Sequence, residues 1–247
     1  MINNFLRSLT DAQNQTLYSV FNSLFWIVFS IVLIIYINKS KKLSVVKTII
    51  VLLIPYVVDL IIVAVAGIIK TLSAPYVFIP TYYPVYFVPI MLATSAVIYP
   101  VIKTDLLDVM DKFILSFFIA RPCHCIACLC YGCCYGADAD WGIYSSVEKT
   151  TVIPLRLFEI VVVLGLWSIN HWLYINKKFK YKGQCAALGT IEFGILIVLF
   201  DMFCTTPAKF LIYFSAVGIS SFLTIIAGVI LCNVLKKRHQ QQQNNKP

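Results

Sequence analysis

Leu106–Tyr131 reads LLDVMDKFILSFFIARPCHCIACLCY and runs straight into Gly132–Gly136, GCCYG. Whether this stretch crosses a bilayer decides the fold. Asp105, Asp108 and Asp111 recur at three-residue steps beside Lys112. Carboxylates suit the positive end of a helix dipole, so the segment reads as a helix with a polar entrance. Pro122 after Arg121 predicts an irregular span over Leu106–Tyr131. Counted as a crossing, the segment makes seven spans and leaves the two termini on opposite sides. Counted as re-entrant, it leaves six and scrambles the charge asymmetry of the loops. With seven spans and the N-terminus outside, 14 of the 20 Lys and Arg residues fall on the cytoplasmic side and 6 on the other. That bias matches the rule that cytoplasmic loops hold the positive charge, and seven is the better count.

Outward from this segment the chain is mostly apolar. Charged residues make up 13% of its 247 positions and hydrophobic ones 60%, whereas soluble domains carry roughly a quarter charged. Long apolar runs without period-two alternation exclude a barrel, so the spans are helical. The expected spans are Leu17–Ile37, Val45–Ile69, Tyr82–Ile102, Leu106–Tyr131, Leu155–Ile175, Cys185–Cys204 and Phe210–Leu235. The fold class is therefore an all-α polytopic membrane protein, N-terminus outside and C-terminus in the cytoplasm. Residues 1–239 form one transmembrane domain, and 240–247, rich in Gln and Asn, read as a disordered polar tail. Prolines between Pro75 and Pro89 rule out one regular helix there. The N-terminus lacks the charged region and short apolar core of a cleavable signal.

The net charge of +9 does not point to nucleic acid, because no basic stripe interleaves with aromatics in a soluble segment. Six of the nine cysteines and one of three histidines lie within Arg121–Gly136. A zinc knuckle would need a second ligand pair further along, and none follows, so no metal and no cofactor is expected. Buried thiols packing helix on helix, or disulfides at an outer face, are the plain alternatives. Gly132 and Gly136 bracket Cys133-Cys134-Tyr135. They read as the point where the helix breaks and backbone amides turn toward a ligand.

Gly132-Cys133-Cys134-Tyr135-Gly136, followed by Pro154-Leu155-Arg156-Leu157-Phe158-Glu159, resembles the prolipoprotein diacylglyceryl transferase family. It is most similar to the branch that reads G-R-x-G-C-F-x-x-G-C-C-Y-G and then P-x-Q-L-Y-E. Pro154, Leu157 and Glu159 match, Phe158 stands for the aromatic, and Arg156 replaces the glutamine. Phe193-Gly194 and Asp201 fall on the family's Y-G-x-x-R-F-x-x-E, with Ile197 in the arginine's place and Asp201 for the glutamate. No histidine lies in Pro75–Pro100, where the family has H-G-G, and Arg121 stands about one turn from the signature arginine.

The resemblance implies a bacterial plasma-membrane enzyme that moves a diacylglyceryl group from phosphatidylglycerol to the lipobox cysteine of a prolipoprotein. Its partners are then a phospholipid and a signal-peptide region. Such a displacement needs a thiolate, cations for the phosphate and a base of raised pKa. Glu159 is the candidate base, or else an ion-pair partner of Arg156 or Arg121 that only fixes helices. Arg121 and Arg156 are candidates for the phosphate, Asp201 is a further catalytic candidate, and Gly132, Cys133, Cys134, Tyr135 and Gly136 are candidates for substrate binding. Asp59 reads as a helix–helix contact, Glu192 as a partner for a lysine, and His124 as neither base nor ligand. A non-catalytic lipid-binding relative and a thiol-redox or metal-binding membrane protein are the competing functions.

Overall fold

The computed structural model describes residues 10–72, 83–132, 134–145, 149–205, 209–211 and 214–244. Among the described residues seven helices carry the fold: α1 (Asp11–Ser40), α2 (Val45–Leu72), α3 (Tyr83–Ile102), α4 (Leu106–Tyr131), α5 (Leu155–Ile175), α6 (Gln184–Phe203) and α7 (Ala216–Asn244). Two short antiparallel pairs sit between them. β1 (Asp138–Tyr144) pairs with β2 (Thr151–Val152), and β3 (Lys209–Leu211) with β4 (Phe214–Ser215). Among the described residues six helices are long and apolar enough to cross a membrane, and α3 supplies the shorter apolar stretch Tyr86–Ile102. The protein is a polytopic helical membrane protein, as its composition requires.

The helices depart from the sequence reading at several points, and the larger departures have local reasons. α1 starts at Asp11 rather than Leu17, because Thr10 and Gln13 form a capping box. Gln13 N donates to Thr10 Oγ1 at 3.3 Å, and Thr10 N donates to Gln13 Oε1 at 2.8 Å. That pairing satisfies two otherwise orphaned amides. α4 is one continuous helix through Pro122, not an irregular span. Within a packed apolar bundle one lost backbone bond costs less than unwinding the neighbours, and Pro55, Pro89 and Pro100 are absorbed the same way. α3 accordingly takes in Pro89, while Pro75 and Pro80 lie outside the described residues. Lys209–Leu211 and Phe214–Ser215 pair as strands, so α7 begins six residues later than expected. It then continues through Gln240 to Asn244, where composition predicted a disordered tail. Glutamine is a good helix former and extends an existing helix without a new nucleus.

α4 is the axis of the bundle, with two-thirds of its apolar window buried. α1 runs antiparallel along it, placing Phe25 5.8 Å from Phe117 and Phe29 4.8 Å from Phe113. Phe87 of α3 and Phe193 of α6 close the same core, 4.6 and 4.9 Å from Phe117. α6 meets α7 through small residues. Beta carbons built at Gly194 and Gly228 would fall 2.6 Å from Ile225 and 2.7 Å from Ile191, so the backbones approach closely. The outward faces of α2, α5 and α7 present aliphatic side chains such as Leu60, Val161 and Leu223. A hydrocarbon surround accepts such a surface, whereas water would penalise it.

The two ends of the bundle differ in chemistry. At the lysine-rich end Asp105 caps α4 through Leu107 N at 3.0 Å and pairs with Lys182 at 3.2 Å. Asp111, buried, accepts from Gly183 N at 2.7 Å and Ala186 N at 2.8 Å, and so caps α6 from a different helix. Buried Lys112 donates to Asp108 and to Ser40, each at 2.6 Å. At the other end α4 stops at Gly132, whose φ of +76° is the left-handed conformation glycine adopts freely.

Candidate functional site

Below that stop, the last three turns of α4 face the first turn of α5. Pro154 precedes α5 and lets the helix begin abruptly, which brings Arg156 and Glu159 in beside Arg121. Glu159 is fully buried and lies between two guanidiniums. Arg121 reaches its Oε1 through Nε and Nη2, both at 2.9 Å, and Arg156 Nη1 pairs with Oε2. The Arg121 guanidinium also lies over the Phe193 ring, 5.6 Å from its centroid, a cation–π contact from α6.

This cluster holds two positive charges against one negative. A net charge in a low-dielectric interior is costly unless something compensates it. Two donors are also unspent: Arg121 Nη1 and Arg156 Nε are buried without a hydrogen-bond partner. The arrangement can offer N–H groups from two guanidiniums to one anion, a geometry that suits a phosphate. Access comes from the α5 side. The Arg156 side chain keeps 14% of its surface exposed against 3% for Arg121, and its neighbours Leu157 and Phe158 are exposed to the surround.

Next to the arginines is a small cavity of about 20 Å³ lined by Cys128, Gly132, Cys134, Tyr135, Ser145 and Pro154, among others. That volume admits a water, not a headgroup. The glycine amides expected to face a ligand are spent internally. Gly132 N donates to Cys128 O at 3.0 Å, and Gly136 N donates to Ile153 O at 3.0 Å. Gly136 serves close packing instead, since a Cβ there would fall 3.0 Å from Ile153 Cβ. Tyr135 is buried, its carbonyl accepting from Thr205 N at 3.0 Å. Cys133 lies outside the described residues.

Of the expected charged residues, then, the fold unites Arg121, Arg156 and Glu159. Asp201 is buried in the last turn of α6, about two turns along that helix from Phe193. Among the described residues no lysine pairs with Glu192. Asn170 Nδ2 of α5 donates to it at 2.6 Å. Asp59 is buried in α2 and faces Trp26 of α1, as a helix–helix contact should. His171 meets the Tyr36 hydroxyl. Among the described residues no group of three His, Cys, Asp or Glu side chains could hold a metal ion.

His124 is the residue that sequence reasoning undervalued. Its Nδ1 is 3.1 Å from Asn22 Oδ1 of α1, and its Nε2 is 3.7 Å from Cys128 Sγ, one turn along α4. The His–Cys spacing of four was visible in the chain. Asn22 was not, because 102 positions separate it from His124.

The chain is similar to the phosphatidylglycerol–prolipoprotein diacylglyceryl transferase 2 of Clostridium perfringens (strain 13 / Type A), with 24% identity over 151 residues. The match covers 58% of this chain and 58% of that protein, so the chain spans little more than half the length of this curated relative. No protein-family model matches the chain, and no solved structure does.

Proposed function

We propose that the protein is a bacterial plasma-membrane transferase that moves the diacylglyceryl group of phosphatidylglycerol to a cysteine thiol of a prolipoprotein. One observation carries the reading: a buried Arg–Glu–Arg cluster with net positive charge and two unspent N–H donors, at the end of a lipid-facing bundle. The similarity to the clostridial transferase supplies the substrate class. In this reading the cluster faces the outer leaflet and the lysine-rich end the cytoplasm, as the loop charges favour.

The phosphodiester enters past Arg156 and takes the free N–H groups of Arg121 and Arg156. The acceptor sulfur attacks the glyceryl carbon that bears the phosphate. A C–S bond forms and the C–O bond to phosphorus breaks. The electron pair leaves with the glycerol phosphate, which also carries away the thiol proton, so nothing is oxidised or reduced. The guanidiniums stabilise the charge that grows on the leaving oxygen. Glu159 acts as a positioning residue: it is fully buried, and both its oxygens hold arginine N–H groups. Asp201 is proposed to assist from α6 without direct contact to the phosphate.

The test uses the purified full-length chain in vesicles of phosphatidylglycerol and phosphatidylethanolamine with a lipobox peptide. The expected product is a peptide bearing a thioether-linked diacylglyceryl group, seen by mass spectrometry. R121K and R156K keep the charge but lose the fork, and each should lower the rate by about 10²–10³, the usual cost of one transition-state donor. Absence of product from the wild-type chain, or full activity in both variants, refutes the assignment.

A further inference from the structure

The proposed transfer leaves unused the row Cys128–His124–Asn22. His124 and Cys128 are four apart on α4 and so lie on one face. The third member arrives from α1. Asn22 Oδ1 is 3.1 Å from His124 Nδ1, and His124 Nε2 is 3.7 Å from Cys128 Sγ. With Nδ1–H donating to Asn22, the lone pair of Nε2 points at the thiol. A nucleophile within reach of a base that a third group orients is the working arrangement of thiol acyl-transfer enzymes. His124 and Cys128 are both buried.

Three further observations fix what such a thiol would meet. Cys128 lines the cavity of about 20 Å³, which has room for a water beside the sulfur. Arg121 and Arg156 both lie close to Cys128, so two cations stand near the place where negative charge would grow on an ester oxygen. Depth is the third. Cys128 stands three residues before the end of α4, about 4.5 Å inside it. Tyr131 and Trp141, both exposed, lie beyond as aromatic anchors of the headgroup level. The sulfur therefore sits just below the headgroups, where the ester carbonyls of a glycerolipid lie.

We infer that Cys128, His124 and Asn22 form a thiol relay that takes an acyl group from a membrane glycerolipid ester. His124 Nε2 accepts the thiol proton, and the sulfur bonds to the ester carbonyl carbon. The carbonyl–oxygen bond then breaks, and the departing glyceryl oxygen receives the proton back from His124. The products are S-acyl-Cys128 and a lysolipid, and a water in the adjoining cavity can hydrolyse the thioester to a free fatty acid. This chemistry stands apart from the diacylglyceryl transfer proposed above, because one makes a thioester and the other a thioether.

The experiment incubates the full-length protein in vesicles of phosphatidylglycerol labelled on its acyl chain, then maps adducts by mass spectrometry before and after neutral hydroxylamine. A hydroxylamine-labile acyl group on Cys128 is expected, absent in C128A. H124Q should slow its formation by about 10²-fold or more, the usual contribution of a positioned base. N22L should slow it as well, with thermal unfolding in detergent confirming that each variant is folded. No labile adduct on the wild-type chain, an adduct that persists in C128A, or an unchanged rate in folded H124Q overturns the relay. Hydroxylamine-resistant transfer to the lipobox peptide is scored in the same samples, so either activity can fail without the other.

Discussion

Replacing Glu159 by Gln tests the centre of the site with the least change in shape. In the wild-type protein the carboxylate takes Nε and Nη2 of Arg121 on one oxygen and Nη1 of Arg156 on the other. Glutamine keeps one acceptor oxygen, but turns its NH₂ toward a guanidinium and leaves two buried cations with no counter-charge. Removing one member of a buried ion pair costs about 3–5 kcal/mol, mostly for the charge left behind. Two arginines share this carboxylate, so the upper half of that range is expected. Reversible unfolding in neutral-detergent micelles, followed by tryptophan fluorescence, measures it.

The sign of the lipid effect provides a sharper check. E159Q raises the cluster from a net +1 to +2, so an anionic lipid that occupies the unspent donors should protect the variant more than the wild type. Binding to the folded state alone at 100 times the dissociation constant stabilises by about 2.7 kcal/mol. Phosphatidylglycerol titrated into the micelles should recover a good part of the loss, whereas phosphatidylcholine should recover little. The double variant R121Q/E159Q, which removes the pair together, should be more stable than E159Q alone, a non-additivity expected of contacting charges. A cost below about 1 kcal/mol for E159Q, well under the buried-pair range, would show that water reaches the pair. Equal protection by both lipids would remove the anion receptor from the argument.

Other perturbations probe the frame that holds this site. D111A deprives Gly183 N and Ala186 N of their acceptor and should destabilise the protein by about 1–3 kcal/mol, with D111N recovering part, in the same unfolding assay. G189A places a Cβ onto Ile114 Cγ1 and should cost about 1–3 kcal/mol through overpacking; the second substitution I114A, which removes that carbon, should relieve the clash. T10A removes the capping-box hydroxyl of α1 and should cost about 1 kcal/mol, read as increased amide exchange confined to the first turn.

What the sequence disclosed depended on whether the deciding signal was local. α4 and α5 fall on the expected boundaries, Leu106–Tyr131 and Leu155–Ile175, because Asp105, Gly132 and Pro154 are punctuation read from neighbours in the chain. The start of α1 was equally legible in Thr10 and Gln13, yet apolar content alone placed it seven residues beyond the cap. Lys209–Leu211 and Phe214–Ser215 show the limit of that measure, since they are as apolar as a helix end and pair as strands. Glu159 and Arg121 could be named from motif and burial cost, and their mutual ion pair was one of two readings open. Their separation of 38 residues left only tertiary structure to choose between them. Asn22 gave no signal at all: a polar residue near the start of a span is ordinary, and its meaning comes from the histidine of another helix.

The chemistry of the bundle's two ends is the reason the proposed site is put at the arginine end. Both bury charge, so burial alone does not separate them. At the lysine-rich end the circuits close: Lys112 finds Asp108 and Ser40, and Asp111 finds two backbone amides of α6. Each charge there is spent on joining one helix to another, and the balance of Lys112 against Asp108 is neutral. At the other end Glu159 joins α4 to α5 just as firmly, yet a positive charge and two donors remain over. A purely structural junction would gain by deleting one arginine, since an apolar replacement would spare the desolvation of a cation that has no counter-ion of its own. Stability therefore accounts for one arginine and not for two. The surplus is intelligible as a seat for an anion that comes and goes, and in a membrane the abundant anion at that depth is the phosphodiester of a lipid.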